Sequence, residues 1–188
     1  MIREFLPSMM EKDKGSLVSM CSIAGHAGCP YMVPYSASKF AVKGMMEALH
    51  QELRAQSPEN KIHLMTVSPF IVETDMIKGA SIRFPSTNFF VFSKTFQRLF
   101  KDRQFENCNI FSTHILLLFT DLINKVTAEF AAEVIVANLK KQSEIVFIPK
   151  RYYYLHNLVR LMPTRIQWLI FDFFDSGVDI HYDNTDNL

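Results

Sequence analysis

Cysteine is scarce in this 188-residue chain, and the three present, Cys21, Cys29 and Cys108, make neither a C-x-x-C pair nor an even set. Their pattern argues against a disulfide-built secreted scaffold and favours reduced thiols in a cytosol-facing compartment. The six histidines are scattered without H-E-x-x-H spacing or Cys/His clustering, so no metal centre is expected. Charge of one sign is missing as well. With 20 basic and 19 acidic residues and no dense basic run, the formal charge is +1, which gives no footprint for nucleic acid and no polybasic membrane anchor. Long apolar runs are absent: Arg3, Glu4, Glu11 and Lys12 interrupt the N-terminal stretch, unlike the apolar core of a signal peptide, and 110–120 is too short to cross a bilayer as a helix. The expected partner is a small molecule, and any membrane contact of this chain is expected to be peripheral.

What is present is the mixture of one globular domain, 48% apolar and 21% charged. Ile2, Phe5, Leu6, Met9 and Met10 form one stripe of a helix over 2–13. Ser16–Ser22 reads as a buried strand with Ser22 near its carboxyl end, and Lys61–Val67 as a second strand with Pro69 just beyond it. Between them, Phe40, Ala41, Met45, Ala48, Leu49 and Leu53 predict a long helix over 36–54 packed on a sheet. Strand, helix, strand in that order implies a right-handed parallel βαβ unit and an α/β fold. A further helix is expected from an N-cap at Thr127 to about Lys141, then a strand at 144–148, two short helices over 152–175 and a frayed polar tail at 179–188. Residues 86–124, rich in Phe and without clear period, read as an atypical insertion or a substrate-covering lid.

The chemistry-bearing constellation lies in S-I-A-G-H-A-G-C-P-Y-M-V-P-Y-S-A-S-K-F: Tyr35 follows Ser22 by thirteen residues and Lys39 follows Tyr35 by four. Four residues on a helix put the ammonium and the phenol on one face, and a nearby cation stabilises a phenolate. By composition alone, Tyr-x-x-x-Lys with a serine at that offset is expected only about 0.03 times in such a chain. The set resembles the Ser, Tyr-x-x-x-Lys signature of the short-chain dehydrogenase/reductase family. That resemblance implies Tyr35 as general acid/base, Ser22 as donor to the substrate oxygen, and Lys39 as holder of the ribose of NAD or NADP. Ser68–Met76 is similar to the family's P-G-x-V-x-T segment, which implies cofactor contacts from Pro69, Val72 and Thr74, with Phe70 in place of the usual glycine.

The wording F-L-P-S-M-M, S-I-A-G-H and V-P-Y-S-A-S-K-F-A-V-K-G is closest to the branch containing 17β-hydroxysteroid dehydrogenase 11-like proteins and epidermal retinol dehydrogenases, over 2–85 and 126–179. It implies an apolar alcohol or carbonyl substrate (retinoid, steroid or fatty alcohol). For full-length relatives it also implies endoplasmic reticulum or lipid-droplet contact, with no anchor expected within these 188 residues. The aromatic stretch Tyr152–Phe174 is expected to pack in a core, with substrate lining or a membrane surface as alternatives. The six glycines never make G-x-G-x-x-G. The whole chain therefore reads as one partial domain, the C-terminal part of a Rossmann-like doubly wound parallel sheet, incomplete by roughly 100 residues at about 30 per βα unit. An incomplete sheet is expected to bind dinucleotide weakly, to be poorly stable and to expose an edge. Two further readings follow: a homo-oligomer, and a catalytically inactive interaction protein using that edge.

Overall fold

The computed structural model describes residues 1–75, 81–83, 126–167 and 177–179. The insertion or lid expected at 86–124 lies outside the described residues, as does the tail beyond 179. The chain divides into two compact units. The first comprises Met1–Gly28, Val33–Thr74 and Lys125–Tyr153. In chain order it contains α1 (Ile2–Glu11), β1 (Gly15–Met20), a 3-10 turn (Ile23–Gly25), α2 (Val33–Gln56), β2 (Ile62–Pro69), β3 (Val72–Glu73), β5 (Val126–Thr127), α3 (Ala128–Lys140) and β6 (Ile145–Ile148). α4 (Arg151–Arg160) begins in this unit.

The sheet is parallel, in the order β1-β2-β6. Gly15 to Met20 register with Ile62 to Val67, and Thr66 to Pro69 with Ile145 to Ile148. β2, paired on both sides, is buried from Leu64 to Ser68, as a run of apolar and small residues without alternation requires. On one face Met65, Val67, Val146 and Ile148 pack with Ala131, Val134, Ile135 and Leu139 of α3. On the other, Leu64 packs with Met46 and Leu53 of α2, joined by Leu6, Leu17, Leu49 and Ile62. Each such fully buried side chain is worth about 1.5–3 kcal/mol.

Among the described residues the sequence expectations hold for element type but shift at boundaries, and β1, expected as a buried strand, alternates between half-buried and exposed residues because it is paired with β2 alone among them. β1 stops at Met20, two residues before Ser22, because the chain there turns into the 3-10 segment. β2 runs two residues further than expected, so Pro69 is its last residue, opposite Ile148. On α2 the apolar stripe divides: Leu49 and Leu53 face the sheet with Met46, while Phe40, Ala41, Met45 and Ala48 are exposed. The helix has two apolar faces and one sheet to cover, so the stripe read from composition spans more than the buried arc. Thr127 caps α3 as expected, its hydroxyl accepting the Phe130 N–H at 3.2 Å.

Between β2 and α3, β3 pairs in parallel with β5, Val72 opposite Val126 and Glu73 opposite Thr127. In the second unit, β4 (Ser81–Arg83) and β7 (Gly177–Asp179) pair antiparallel, so regular pairing reaches Asp179, the first residue of the tail expected to fray. A helical turn at 164–167 follows α4, fitting two short helices in that region. No helix among the described residues is long and apolar enough to cross a membrane.

Candidate active site

Parallel strands deliver their carboxyl ends to one edge of the sheet, where open α/β folds form their ligand crevices. The Met20–Val67 register puts the residues after β1 and the end of β2 side by side at that edge. The ladder continues one step beyond β1, the Cys21 N–H donating to the Val67 carbonyl at 2.8 Å.

Ser22 comes next, buried, with an extended backbone. It caps the 3-10 turn: its Oγ accepts the Ala24 N–H at 3.2 Å, a common device for a short polar residue ahead of a helical turn. A hydroxyl engaged as acceptor keeps its own proton to donate. The turn is closed by Gly25 N–H to Ser22 O at 3.0 Å and His26 N–H to Ile23 O at 2.8 Å. It sits directly on α2. A Cβ on Gly25 would lie 2.8 Å from the Lys39 carbonyl oxygen, so only glycine allows the approach, and the Cys21 thiol donates to the same carbonyl at 3.3 Å.

Tyr35 lies in the first turn of α2 and Lys39 one turn on, both half-buried. The Lys39 ammonium stands 5.6 Å from the centroid of the Tyr35 ring and donates to the Met20 carbonyl at 3.0 Å. Lys39 thus joins the phenol's helix to the strand end that leads into Ser22. An ammonium has three donors, so the bond to Met20 leaves chemistry suited to ribose hydroxyls.

The second expected segment departs from the neighbouring strand. Pro69 ends β2, and Phe70 N–H donates to the Ile148 carbonyl at 2.8 Å. Val72 lies in β3, held by its pairing with Val126, and Thr74 is exposed just beyond. Phe70, where the resembling family has glycine, packs on Tyr152 with ring centroids 4.5 Å apart. The Tyr152 hydroxyl is buried without a hydrogen-bond partner, and burial pushes its phenol far above its ordinary range.

Composition alone missed His26, which read as one of six scattered histidines. Its Nε2 lies 2.8 Å from Ser68 Oγ, and its ring centroid is 4.7 Å from that of Phe147. The available signal was its place directly after Gly25 in the turn that Ser22 opens.

Residues 1–82 match the family model described as short chain dehydrogenase. Short-chain dehydrogenase/reductase family 16C member 6 of Bos taurus is 40% identical over 83 residues, 44% of this chain and 26% of that protein. 17-beta-hydroxysteroid dehydrogenase 13 of Homo sapiens is 40% identical over 81 residues, 43% of this chain and 27% of that protein. Epidermal retinol dehydrogenase 2 of Homo sapiens aligns more widely, 26% identical over 171 residues, 91% of this chain and 44% of that protein. The matched lengths therefore span about a quarter to under half of these curated relatives. Among solved structures, a short chain dehydrogenase/reductase from Burkholderia phymatum in complex with NAD superposes with a TM-score of 0.55 at 19% identity, covering 85% of this chain and 52% of that one, a likeness of fold. Residues 1–82, the segment that supplies Ser22, Tyr35 and Lys39, are thus similar to the short chain dehydrogenase model and to relatives named as hydroxysteroid and retinol dehydrogenases.

Proposed function

We propose that the chain carries the catalytic part of an NAD(P)-dependent oxidoreductase acting on the alcohol or carbonyl of an apolar substrate, a retinoid, steroid or fatty alcohol. The observation that carries this reading is the double engagement of Lys39, beside the Tyr35 ring and on the Met20 carbonyl two residues before Ser22. One cation thereby joins the two elements whose side chains must act on one substrate oxygen.

In alcohol oxidation, Tyr35 Oη takes the hydroxyl proton as the carbon gives up hydride, and in reduction it returns that proton to the carbonyl oxygen. Ser22 donates a hydrogen bond to the same oxygen, its lone pair already engaged by Ala24. The Lys39 ammonium stabilises the negative charge on the Tyr35 oxygen in its proton-free form, before it takes the proton in oxidation and after it gives it up in reduction, and it would bind ribose hydroxyls. A nicotinamide dinucleotide, when bound, supplies the hydride acceptor or donor. Pro69, Val72 and Thr74 would hold its nicotinamide end. The donor set fits such a group: an ammonium, a buried hydroxyl and a strand-end segment meet at the carboxyl edge of a parallel sheet.

The remaining parts of the proposal follow from surfaces. Phe40 and Met45, 45% and 44% exposed on α2, with Ala41 and Ala48, would pack against a second copy in a homo-oligomer. The chain's membrane or lipid-droplet contact would be peripheral and on the cytosolic side. With no G-x-G-x-x-G among the 188 residues, dinucleotide binding by this chain alone is expected to be weak.

A second reading is an interaction protein without turnover. It is favoured by β1, which pairs only with β2 among the described residues and exposes Val18 and Met20. The test is oxidation of a retinoid, steroid and fatty alcohol panel at millimolar dinucleotide, with wild type beside Tyr35→Phe. Turnover that Tyr35→Phe abolishes supports the oxidoreductase. Turnover that it leaves intact, or no turnover in wild type, overturns it in favour of the interaction reading.

A further inference from the structure

The turn that carries Ser22 is secured to α2 through Gly25 and Cys21, which meet the Lys39 carbonyl. On its other flank a side chain reaches β2. His26, the residue that ends the turn, reaches across to β2, where its Nε2 lies 2.8 Å from Ser68 Oγ. Ser68 has no solvent exposure and immediately precedes Pro69, where the proposed cofactor segment begins. The imidazole is itself braced, its ring 4.7 Å from Phe147 on β6, the residue in register with Ser68, and Phe147 in turn lies edge-on to Tyr153 at 5.6 Å.

We infer that His26 is a positioning residue: through its hydrogen bond to Ser68 it locks the Ser22 turn to the end of β2, fixing the substrate-polarising hydroxyl relative to the Pro69–Thr74 segment. The role of those two segments rests on the oxidoreductase reading, but the lock itself does not.

The physical argument is one of stakes and geometry. A buried hydroxyl without a partner is costly, so the serine and histidine hold each other in one arrangement. Beside the Cys21–Val67 bond, the His26–Ser68 bond links the turn to β2. A short turn of three residues with one cap has little internal rigidity. Its position relative to β2 is therefore set by what it is pinned to, and catalytic hydroxyls lose effectiveness steeply when misplaced by an ångström.

The closing experiment is amide hydrogen exchange on the full chain without dinucleotide, for wild type, His26→Phe, Ser68→Ala, the double variant and His26→Gln. His26→Phe keeps a ring against Phe147 and loses the hydrogen bond, Ser68→Ala removes the partner without stranding a hydroxyl, and His26→Gln retains a side-chain amide able to reach it. Exchange at 23–27 is expected to quicken about tenfold in both single variants, no further in the double, and to recover in His26→Gln, while β2 amides stay protected. Where wild type turns over, kcat is expected to fall about tenfold in His26→Phe with KM little changed. Unchanged exchange at 23–27 in His26→Phe or Ser68→Ala, or additive effects in the double variant, overturns the lock. A wild type with no turnover contradicts the oxidoreductase reading alone, because the exchange result is obtained without dinucleotide.

Discussion

β1 and β2 are parallel neighbours in register from end to end, yet they are held very differently. β2 is paired on both sides, covered on both faces and buried through five successive residues. β1 is paired with β2 alone among the described residues, and its side chains alternate between half-buried and exposed, with Met20 50% exposed at the very end that leads to Ser22. Of these two strands, the better-secured one leads into the proposed cofactor segment and the less-secured one into Ser22. That difference explains why the Ser22 end needs auxiliary ties: Lys39 to Met20, Gly25 and Cys21 to the backbone of α2, and His26 to Ser68. A pairing ladder positions one half of the site, and side chains position the other.

The contrast is sharpened most by truncating the same residue type on each strand. Met65→Ala, at a site with no exposure packed against α3, should cost about 3 kcal/mol in urea unfolding, whereas Met20→Ala should cost less than about 1 kcal/mol. Equal costs would remove the asymmetry. The next test moves to the ties. Gly25→Ala should destabilise by about 1–3 kcal/mol, because its methyl would meet the Lys39 carbonyl, while Gly28→Ala, with nothing within 4 Å, should change little.

A smaller effect sits beside the end of β2. Tyr152 buries a hydroxyl without a partner, so Tyr152→Phe should keep its packing on Phe70 and be neutral or stabilising by up to about 1 kcal/mol near neutral pH. The same phenol gives an alkaline signature. Its ordinary value is 10.0 and burial raises it in the folded state. Above pH 10 the unfolded chain therefore releases a proton that the folded chain keeps, and stability falls as pH rises. Tyr152→Phe should flatten that part of a pH–Tm profile.

The smallest effect belongs to the amino end of β1. The Asp13 carboxylate accepts the Lys61 backbone N–H at 2.9 Å and pairs with the Lys61 ammonium at 3.4 Å, and that backbone bond first, then the side-chain hydrogen bond and the charge of Lys61, hold it below its ordinary 3.8 against an opposing effect of desolvation. Its contribution is present above that value and is lost as pH falls through the lower folded value. Asp13→Asn should remove a slight acid-side slope from the same profile and leave neutral pH almost unchanged.

Much of this was legible in the sequence, for reasons that differ by residue. The Tyr35–Lys39 pair could be read because four helical residues fix a shared face. Thr127 could be read because capping is local chemistry. The buried arc of α2 could not, because apolar residues circle that helix and only the sheet decides that Met46 packs while Met45 is exposed. Nor could the His26–Ser68 bond, whose partners are 42 residues apart and meet only through the β1–β2 register. Local periodicity and caps are written in short windows; ties between strand ends are not.

The central claim is that Ser22, Tyr35 and Lys39 serve one hydride transfer. Its most direct measurement is reduction of retinal by the chain with NADH and NADPH deuterated at the transferring carbon, reading the product alcohol by mass spectrometry. One deuterium on the carbinol carbon in wild type, with at least about a hundredfold loss of product in Tyr35→Phe at unchanged Tm, is the predicted result. Absence of product from wild type, product without the deuterium, or full yield from Tyr35→Phe would contradict it.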